Sequence, residues 1–234
     1  MQLIYADIYS HQSAKVCINP CFYEVKNNKC KICRRFGQKL FLKGGRCIGQ
    51  KCAMIRRPYP PGQKRKRRKS QLSEYGRQLH EKQKIRLSYG MGERQFKKYV
   101  KGCLAKSAKE GRGFVDFLVE RLESRLDNVV FRVGLANSRS KGRFLVTHGH
   151  FLINNKPVDL PSYQVKRGDK ISIKEKSKSK TIFKDLAVGL KKYQPPSWLE
   201  LDREKFELKV VGVPNKDEAS MPGDLQKVGE FYSR

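Results

Sequence analysis

The chain has 234 residues, with 52 Lys and Arg against 22 Asp and Glu, and its net charge is +30. A charge of this size bears on partners rather than on fold, and the anionic candidates are nucleic acid, a membrane surface and acidic proteins. Aromatic residues at 10% argue against wholesale disorder. No run approaches the ~18 apolar residues of a membrane-spanning helix, and residues 1–10 lack the pattern of a signal peptide.

The first segment, residues 1–29, shows no clear period and is set apart as an N-terminal extension. The net charge is +22 over residues 1–110 and +8 over residues 111–234. This asymmetry predicts that the first half binds RNA over a wide surface and that a more conventional globular part follows it. Without a signal peptide, the seven cysteines are expected in a reducing compartment, where clustered cysteines indicate metal more often than disulfides.

Four of the cysteines are clustered within 23 residues and have the spacing of a metal site: Cys30, Cys33, Cys47 and Cys52. Four thiolates suit tetrahedral zinc, so we predict one Zn²⁺ site. The alternatives are four buried thiols without a metal, or an iron–sulfur cluster, which is disfavoured because no redox partner site is visible. Cys17 and Cys21 have a less typical spacing and are left out. The cations around the cluster favour a zinc site that presents positive charge to phosphate.

The segment after the cysteines is predicted to be an extended arm. Its prolines at 58, 60 and 61 restrict the backbone. The six consecutive cations at 64–69 cannot pack against one another, so they are either solvated or bound to RNA. Helical periodicity follows over 71–87 and 93–105, where Cys103 lies on the apolar face as ordinary core. Gly111 and Gly113 break the chain, and a further helical stripe runs from Phe114 to Leu126.

A compact α+β module is predicted next. A helix from 126 to 133 stops at Gly134, and Asn137 or Ser138 caps a second helix that ends near Gly149. Residues 151–158 form a hairpin around Asn154 and Asn155, and a strand covers 170–173. The charged stretch 174–180 is interpreted as a linker or a strand, and further strands are expected near 198–199 and 208–211.

The second helix of this module is predicted to be a cationic, phosphate-facing surface. Its free N–H groups and dipole favour phosphate near Ser138. Arg139 and Arg143 are four residues apart and therefore share one face. His148 and His150 either contact RNA, act as turn and cap residues, or pack as a pair against the strand. No nucleophile or paired carboxylate stands at a useful spacing from them, so a catalytic role is not expected.

The run from 125 to 169 resembles the RNA-binding domain of the small-subunit ribosomal protein S-four family. The segments 30–62, 88–90, 93–96 and 229–234 are similar to the rest of the bacterial, zinc-bearing form, so that the resemblance covers about residues 28–234. Two features depart from the family. The chain before Cys30 is longer than usual, through a lineage-specific extension or a start codon assigned too far upstream, and the run 64–69 is more basic.

The resemblance implies an α+β fold with three parts. These are a zinc-binding N-terminal lobe at 30–62, a basic arm and helical domain at 63–120 completed by 184–234, and an inserted two-helix plus small β-sheet RNA-binding domain at 121–183. It implies a cytoplasmic ribosomal protein that binds the 5′ domain of 16S-type rRNA, helps to nucleate subunit assembly and influences translational accuracy. The implied neighbours are ribosomal protein S-five, other small-subunit proteins and messenger RNA near the point where it enters the ribosome. No membrane and no small-molecule substrate are expected.

Two other functions are weaker alternatives. An RNA-modifying enzyme that borrows the two-helix domain would need a separate catalytic domain, for which 184–234 is too short and 1–110 too basic. A regulatory or chaperone-like RNA binder would act outside the ribosome. The residues predicted to contact RNA are Arg34, Arg35, Lys43, Arg46, Arg56, Arg57, Lys64, Arg65, Lys66, Arg67, Arg68, Lys69, Arg125, Arg132, Ser138, Arg139, Lys141, Arg143, His148, His150 and Lys156.

Overall fold

The computed structural model describes residues 29–62, 71–180, 183, 190, 193–203 and 205–233. The predicted N-terminal extension (apart from Lys29) and the basic run 64–69 therefore lie outside the described residues. Within the described ranges, no helix is both long enough and apolar enough to cross a membrane.

The first part is a small lobe that carries the clustered cysteines, and we refer to residues 29–62 as the cysteine lobe. Its helices are short: α1 is Lys29–Phe36, α2 is Gly45–Ile48 and α3 is Ala53–Arg56. The lobe contacts both other parts of the molecule. The Phe36 ring lies 4.6 Å from the ring of His80, and Gly44 (φ 61°) packs so closely on the backbone of Asn137 that a Cβ could not fit between them.

A helical domain follows, made of α4 (Glu74–Ser88), α5 (Glu93–Glu110) and α6 (Phe114–Glu123), with the C-terminal helix α10 (Leu225–Ser233) packed on them. The predicted helices at 71–87 and 93–105 are confirmed, and α5 continues until Gly111, whose φ of 69° ends it. One detail was wrong. Leu126 does not continue the stripe of α6, because that helix ends at Glu123.

The second domain begins with α7 (Leu126–Arg132) and α8 (Arg139–Thr147). Its antiparallel sheet has the order β2-β1-β3-β5-β4. The strands are β1 (Phe151–Ile153), β2 (Lys156–Val158), β3 (Lys170–Ile173), β4 (Leu199–Asp202) and β5 (Glu207–Val210). The predicted hairpin is confirmed, and Asn154 and Asn155 have the positive φ values of 47° and 65° that a tight two-residue turn requires.

The stretch after β3 differs from both interpretations of 174–180. It forms a helical turn, α9 (Glu175–Lys178). The charged side chains are exposed around this turn, while Ser177 is buried and its Oγ lies 2.9 Å from Nδ1 of His150. A buried polar contact therefore determines the conformation, and the alternation of Lys, Ser and Glu gave no sign of it.

Strands β4 and β5 lie in the sheet of the second domain, whereas the domain boundaries proposed from the sequence grouped all of 184–234 with the helical domain. Ile171 of β3 stands opposite Leu208 of β5. Trp198, Leu199, Leu208 and Val210 belong to the core that contains α7 and α8. Ala219 and α10 return to the helical core. The difference arises because a pairing between β3 and β5 is non-local and has no signature in either segment alone.

The close approach of α7 and α8 can be tested at Gly142. A Cβ added there would lie 2.6 Å from the carbonyl oxygen of Asp127. Gly142→Ala should therefore lower the free energy of unfolding by about 1–3 kcal/mol in urea denaturation, because the backbone must shift. The matched control is Gly102→Ala in α5, where no atom lies within 4 Å. That variant should gain up to about 1 kcal/mol from helix propensity. Equal stability of Gly142→Ala and the parent protein would contradict the packing.

Candidate nucleic-acid interface

The four clustered cysteines line one small cavity of about 10 Å³ in the cysteine lobe. Burial raises the pKa of the Cys33 thiol, the backbone N–H of Leu40 opposes that shift, and the charges of Cys47, Cys30 and Cys52 reinforce it. All four are free thiols in the structure. A cavity of this size has room for little more than one ion or water molecule.

The cavity has one further feature of a thiolate site. The backbone N–H of Lys43 donates to Cys47 Sγ at 3.3 Å, and such N–H groups stabilise negative sulfur. In the described part of the chain, however, no group of three or more Cys, His, Asp or Glu side chains has the geometry to hold a metal ion. The four thiols are of the right type for zinc and line the same cavity. Their sulfur atoms do not stand at the positions of a complete zinc ligand shell.

Cations cover the outside of the cysteine lobe. Those that are exposed and were predicted to contact RNA are Arg35, Lys43, Arg46, Arg56 and Arg57. Arg34, also predicted to contact RNA, instead forms hydrogen bonds within the protein. Its Nε donates to the carbonyl oxygens of Arg57 (3.0 Å) and Tyr59 (2.9 Å), and its guanidinium lies 4.8 Å from the centre of the Tyr59 ring. Arg34 therefore holds the proline-rich segment against α1.

The second domain also presents some of its predicted contacts at the surface. His148 and Lys156 are exposed. The ring of His148 lies 4.1 Å from that of Phe144, and Lys141 Nζ lies 5.1 Å from the Phe144 ring. Phe144 itself is 37% exposed. An accessible aromatic ring between two basic groups is suited to stacking with an unpaired base.

Arg125 is not available to RNA, and the structure corrects this prediction. Its side chain is fully buried. Its Nε and Nη2 donate to the Asp127 carboxylate at 3.0 and 2.6 Å, and its Nη1 donates to the Tyr99 hydroxyl at 3.3 Å. Burial works against the charge of Arg125, but the Asp127 carboxylate outweighs burial and raises its pKa. Arg125 thus joins α7 to α5 of the helical domain.

The carboxylate of Glu123 lies at the junction of the two domains and is 1% exposed. It accepts from Arg132 at 2.8 and 2.9 Å and from Asn128 Nδ2 at 2.8 Å. The Tyr89 hydroxyl also donates to it, and Arg139 Nη2 lies 3.8 Å away. We refer to these five residues as the Glu123 cluster. It connects α4 and α6 of the helical domain with α7 and α8 of the second domain.

Electrostatics fixes the protonation states in this cluster. Burial alone would raise the pKa of Glu123, but Arg132 and Arg139 outweigh it and hold the pKa below its ordinary value of about 4.5. Burial and the neighbouring Glu123 charge raise the pKa of Tyr89 far above its ordinary range. Tyr89 therefore remains a donor and Glu123 an anion at neutral pH.

Four further predicted RNA contacts are occupied within the protein, and the structure corrects them too. Arg132 and Arg139 are only 15% and 17% exposed, and both pair with Glu123. Ser138 is buried, and its hydroxyl accepts from the backbone N–H of Lys141. His150 is buried against Ser177, and burial and nearby Lys180 lower its pKa.

Arg143 is half-buried, and its Nη1 donates to the carbonyl oxygen of Gly90 at 2.8 Å. It therefore anchors α8 to the end of α4.

Sequence reasoning missed a set of cations that the fold brings together. A groove of about 640 Å³ lies between the helical and second domains. Its exposed basic residues are Lys98, Lys106, Arg112, Arg121, Lys166 and Arg167. They come from two helices and two turns far apart in the chain, so no local pattern could have identified them.

Comparison with known families defines the class of protein. The family described as ribosomal protein S4/S9 N-terminal domain matches residues 24–119. The S4 domain matches residues 124–171, which cover α7, α8, β1, β2 and the start of β3. A helical domain joined to an S4 domain and covered with cations defines an RNA-binding ribosomal protein.

The relatives identify the family within that class. Small ribosomal subunit protein uS4 of Caldicellulosiruptor bescii is 48% identical over 205 residues, 88% of this chain and 96% of the relative. The protein of the same name from Thermus thermophilus is 45% identical over the same shares, and that of Desulforapulum autotrophicum is 44% identical over 89% of this chain and 98% of the relative. The chain belongs to the uS4 family of small ribosomal subunit proteins. Its role is structural and not enzymatic.

The Glu123 cluster predicts a specific loss of stability. Glu123→Gln should lower the free energy of unfolding at pH 7 by about 3–5 kcal/mol, because two buried guanidinium groups lose their carboxylate. The pH dependence should change as well. A carboxylate with a lowered pKa stabilises the fold above its unfolded value, about 4.5, and that contribution is lost as pH falls below it. Urea unfolding from pH 3 to 7 should therefore show a shallower acid-side slope for Glu123→Gln.

The control for this measurement is Glu74→Gln in α4. Glu74 is 55% exposed and lies 3.9 Å from Arg77, so its loss should cost less than about 1 kcal/mol. Identical acid-side slopes for Glu123→Gln and the parent protein would show that Glu123 is not the group that titrates.

Proposed function

We propose that the protein is a primary binder of the 5′ domain of 16S-type rRNA that helps to nucleate assembly of the small subunit and influences translational accuracy. The observation that carries the proposal is the covering of exposed cations on a chain that belongs to the uS4 family. Relatives bearing the name small ribosomal subunit protein uS4 match this chain over nearly their full length.

Two kinds of contact support binding to folded RNA. The exposed lobe cations replace the counterions of phosphate groups, which gives affinity with a strong salt dependence. The exposed rings of Phe144 and His148, with the half-buried Lys141 beside them, offer a stacking surface for an unpaired base. The Glu123 cluster joins the second domain to the helical domain, and the cysteine lobe contacts both through Phe36 and Gly44, so these surfaces are held in a defined arrangement. Such an arrangement favours recognition of RNA shape over recognition of sequence.

The same proposal includes neighbours in the ribosome. From the resemblance of the sequence, we place ribosomal protein S-five and other small-subunit proteins beside this chain. We also place messenger RNA near it, at the point where the messenger enters the ribosome. The exposed Arg56 and Arg57, which precede the basic run 64–69, are the described residues best suited to phosphates of a passing strand.

We also propose that Cys30, Cys33, Cys47 and Cys52 bind one Zn²⁺, in keeping with the zinc-bearing form of the family. The support is that all four line one cavity. Four protein ligands would leave no open position on the metal, so its contribution would be to fold the lobe. The core of the lobe consists of little more than Cys33, Leu40 and Leu42, which is too small to fold a segment of this size without assistance.

RNA binding can be tested by removing lobe cations. Replacing Arg35, Lys43 and Arg46 by Ala should weaken binding to a 5′-domain rRNA fragment. It should also reduce the slope of log K against log salt by about 0.9 for each lost phosphate contact. Filter binding from 0.05 to 0.5 M salt measures both quantities.

A matched control removes three cations elsewhere, the exposed Lys205 and Lys209 and the half-buried Lys227, and should change the slope much less. If the parent protein fails to bind the fragment, or is absent from purified small subunits, the proposed function is rejected. Binding to RNA without association with the subunit would favour a regulatory role outside the ribosome.

Zinc binding can be tested by metal analysis of the purified protein. One zinc per chain is expected, and Cys33→Ser should release it and unfold the lobe, because one ligand is lost. Cys103→Ser is the control, since Cys103 is a buried cysteine in α5, outside the cavity, and its removal should leave the zinc content unchanged. A parent protein without zinc would end the proposal.

A further inference from the structure

The groove between the two domains combines an apolar floor with basic rims. Its floor includes Cys103 and Phe117 from the helical domain and Trp198 and Val210 from the second domain. Lys98, Lys106, Arg112 and Arg121 stand on one rim, and Lys166 and Arg167 stand on the other. The groove therefore offers apolar contact at its base and positive charge along both sides.

The acids that the structure places in the groove offset only part of its positive charge. Against the six cations the lining contains two acids, Glu110 and Glu120. None of the six forms an ion pair with any residue that the structure describes. Arg112 and Arg121 lie over aromatic rings, 5.0 Å from the centre of Phe117 and 5.2 Å from that of Tyr99. Like charges gathered in this way repel one another unless an anion lies between them.

The two walls are held together by direct bonds, so the groove is formed in advance of any ligand. The backbone N–H of Val165 donates to the carbonyl oxygen of Ser124 at 2.8 Å. Ser124 Oγ donates to Gln164 Oε1 at 3.2 Å, and Arg125 forms a β-bridge with Gln164. A preformed site loses little conformational entropy when it binds.

We propose that this groove holds a short unpaired segment of RNA, with its phosphates between the basic rims and its bases against the apolar floor. The proposal rests on the function proposed above and identifies a second RNA contact, separate from the cysteine lobe. An unpaired strand fits better than a helix, because a base can turn its face to an apolar floor only when it is not stacked in a duplex. Guanidinium groups that lie over aromatic rings, as those of Arg112 and Arg121 do, can pair with phosphate or stack with bases.

The other occupants fit less well. Residues 1–28 contain two acids, Asp7 and Glu24, and two lysines, so the chain's own N-terminal segment does not complement the charge of the groove. An acidic segment of another protein would match the rims. We favour RNA over an acidic protein segment because ribosomal RNA is the polyanion expected to surround a protein of the uS4 family.

The test uses the full chain and two charge-matched variants. In the groove variant, Lys106, Arg121 and Lys166 become Gln, and in the control variant Lys205, Lys209 and Lys227 become Gln. The side chains replaced in both variants are exposed, except that of Lys227, which is half-buried and lies 3.6 Å from Asp224. Both variants should therefore melt close to the parent protein. At 0.1 M salt the groove variant should bind the 5′-domain fragment roughly tenfold more weakly, with a salt slope lower by about 2, because each single-strand phosphate contact contributes about 0.7.

A second measurement locates the contact. Photo-cross-linking with 4-thiouridine in the unpaired positions of the fragment should give peptides containing residues 166–167 or 112–121. Normal affinity and slope in the groove variant, with no such cross-links, would overturn the groove proposal and leave the proposed function standing. Failure of the parent protein to bind would instead reject the proposed function. In reconstituted subunits, the groove variant could instead bind RNA normally and lose a cross-link between the groove and a neighbouring protein. That result would overturn the RNA proposal and identify the occupant as an acidic protein segment.

Discussion

The contact between the helical domain and the second domain is built around one buried carboxylate, that of Glu123. It accepts from an arginine, an asparagine and a tyrosine, and it lies near a second arginine. Three of these four partners belong to the second domain and one to the helical domain. A buried charge is stable only when it is fully paired, so the two domains can satisfy Glu123 only in one relative orientation. The groove between these two domains owes its shape to that constraint.

The excess of positive charge has two separate uses. Arg125, Arg132 and Arg139 are directed inward, where each meets a carboxylate and helps to build the fold. The lobe cations and the groove cations are directed outward, and those of the groove have no ion-pair partner among the described residues. The net charge of the chain therefore overstates the number of cations available to RNA. Arginine serves the inward use well because its forked guanidinium satisfies several acceptors at once.

Local sequence predicted the elements well and the interface less well. The cap at Ser138, the stop at Gly134 and the turn at Asn154 are local features, and the structure contains each of them. The role of Arg139 is not local, because it depends on Glu123, which lies in a different helix. An arginine that binds phosphate and one that binds a buried carboxylate look alike in sequence. The pairing of β3 with β5 and the six groove cations were missed for the same reason.

The path of the chain through the two domains has a consequence for how the protein is made. The helical core contains residues 85–122 together with Ala219, Leu225 and Val228. The second core contains residues 126–210. Each core therefore includes residues that are synthesised late. The helical domain is begun first but is completed last. An N-terminal domain usually folds before the next domain has been synthesised. The helical domain of this chain cannot complete its core in that order, because the core includes Ala219, Leu225 and Val228. A nascent chain halted after residue 210 would present a finished second domain beside a helical core that still lacks α10.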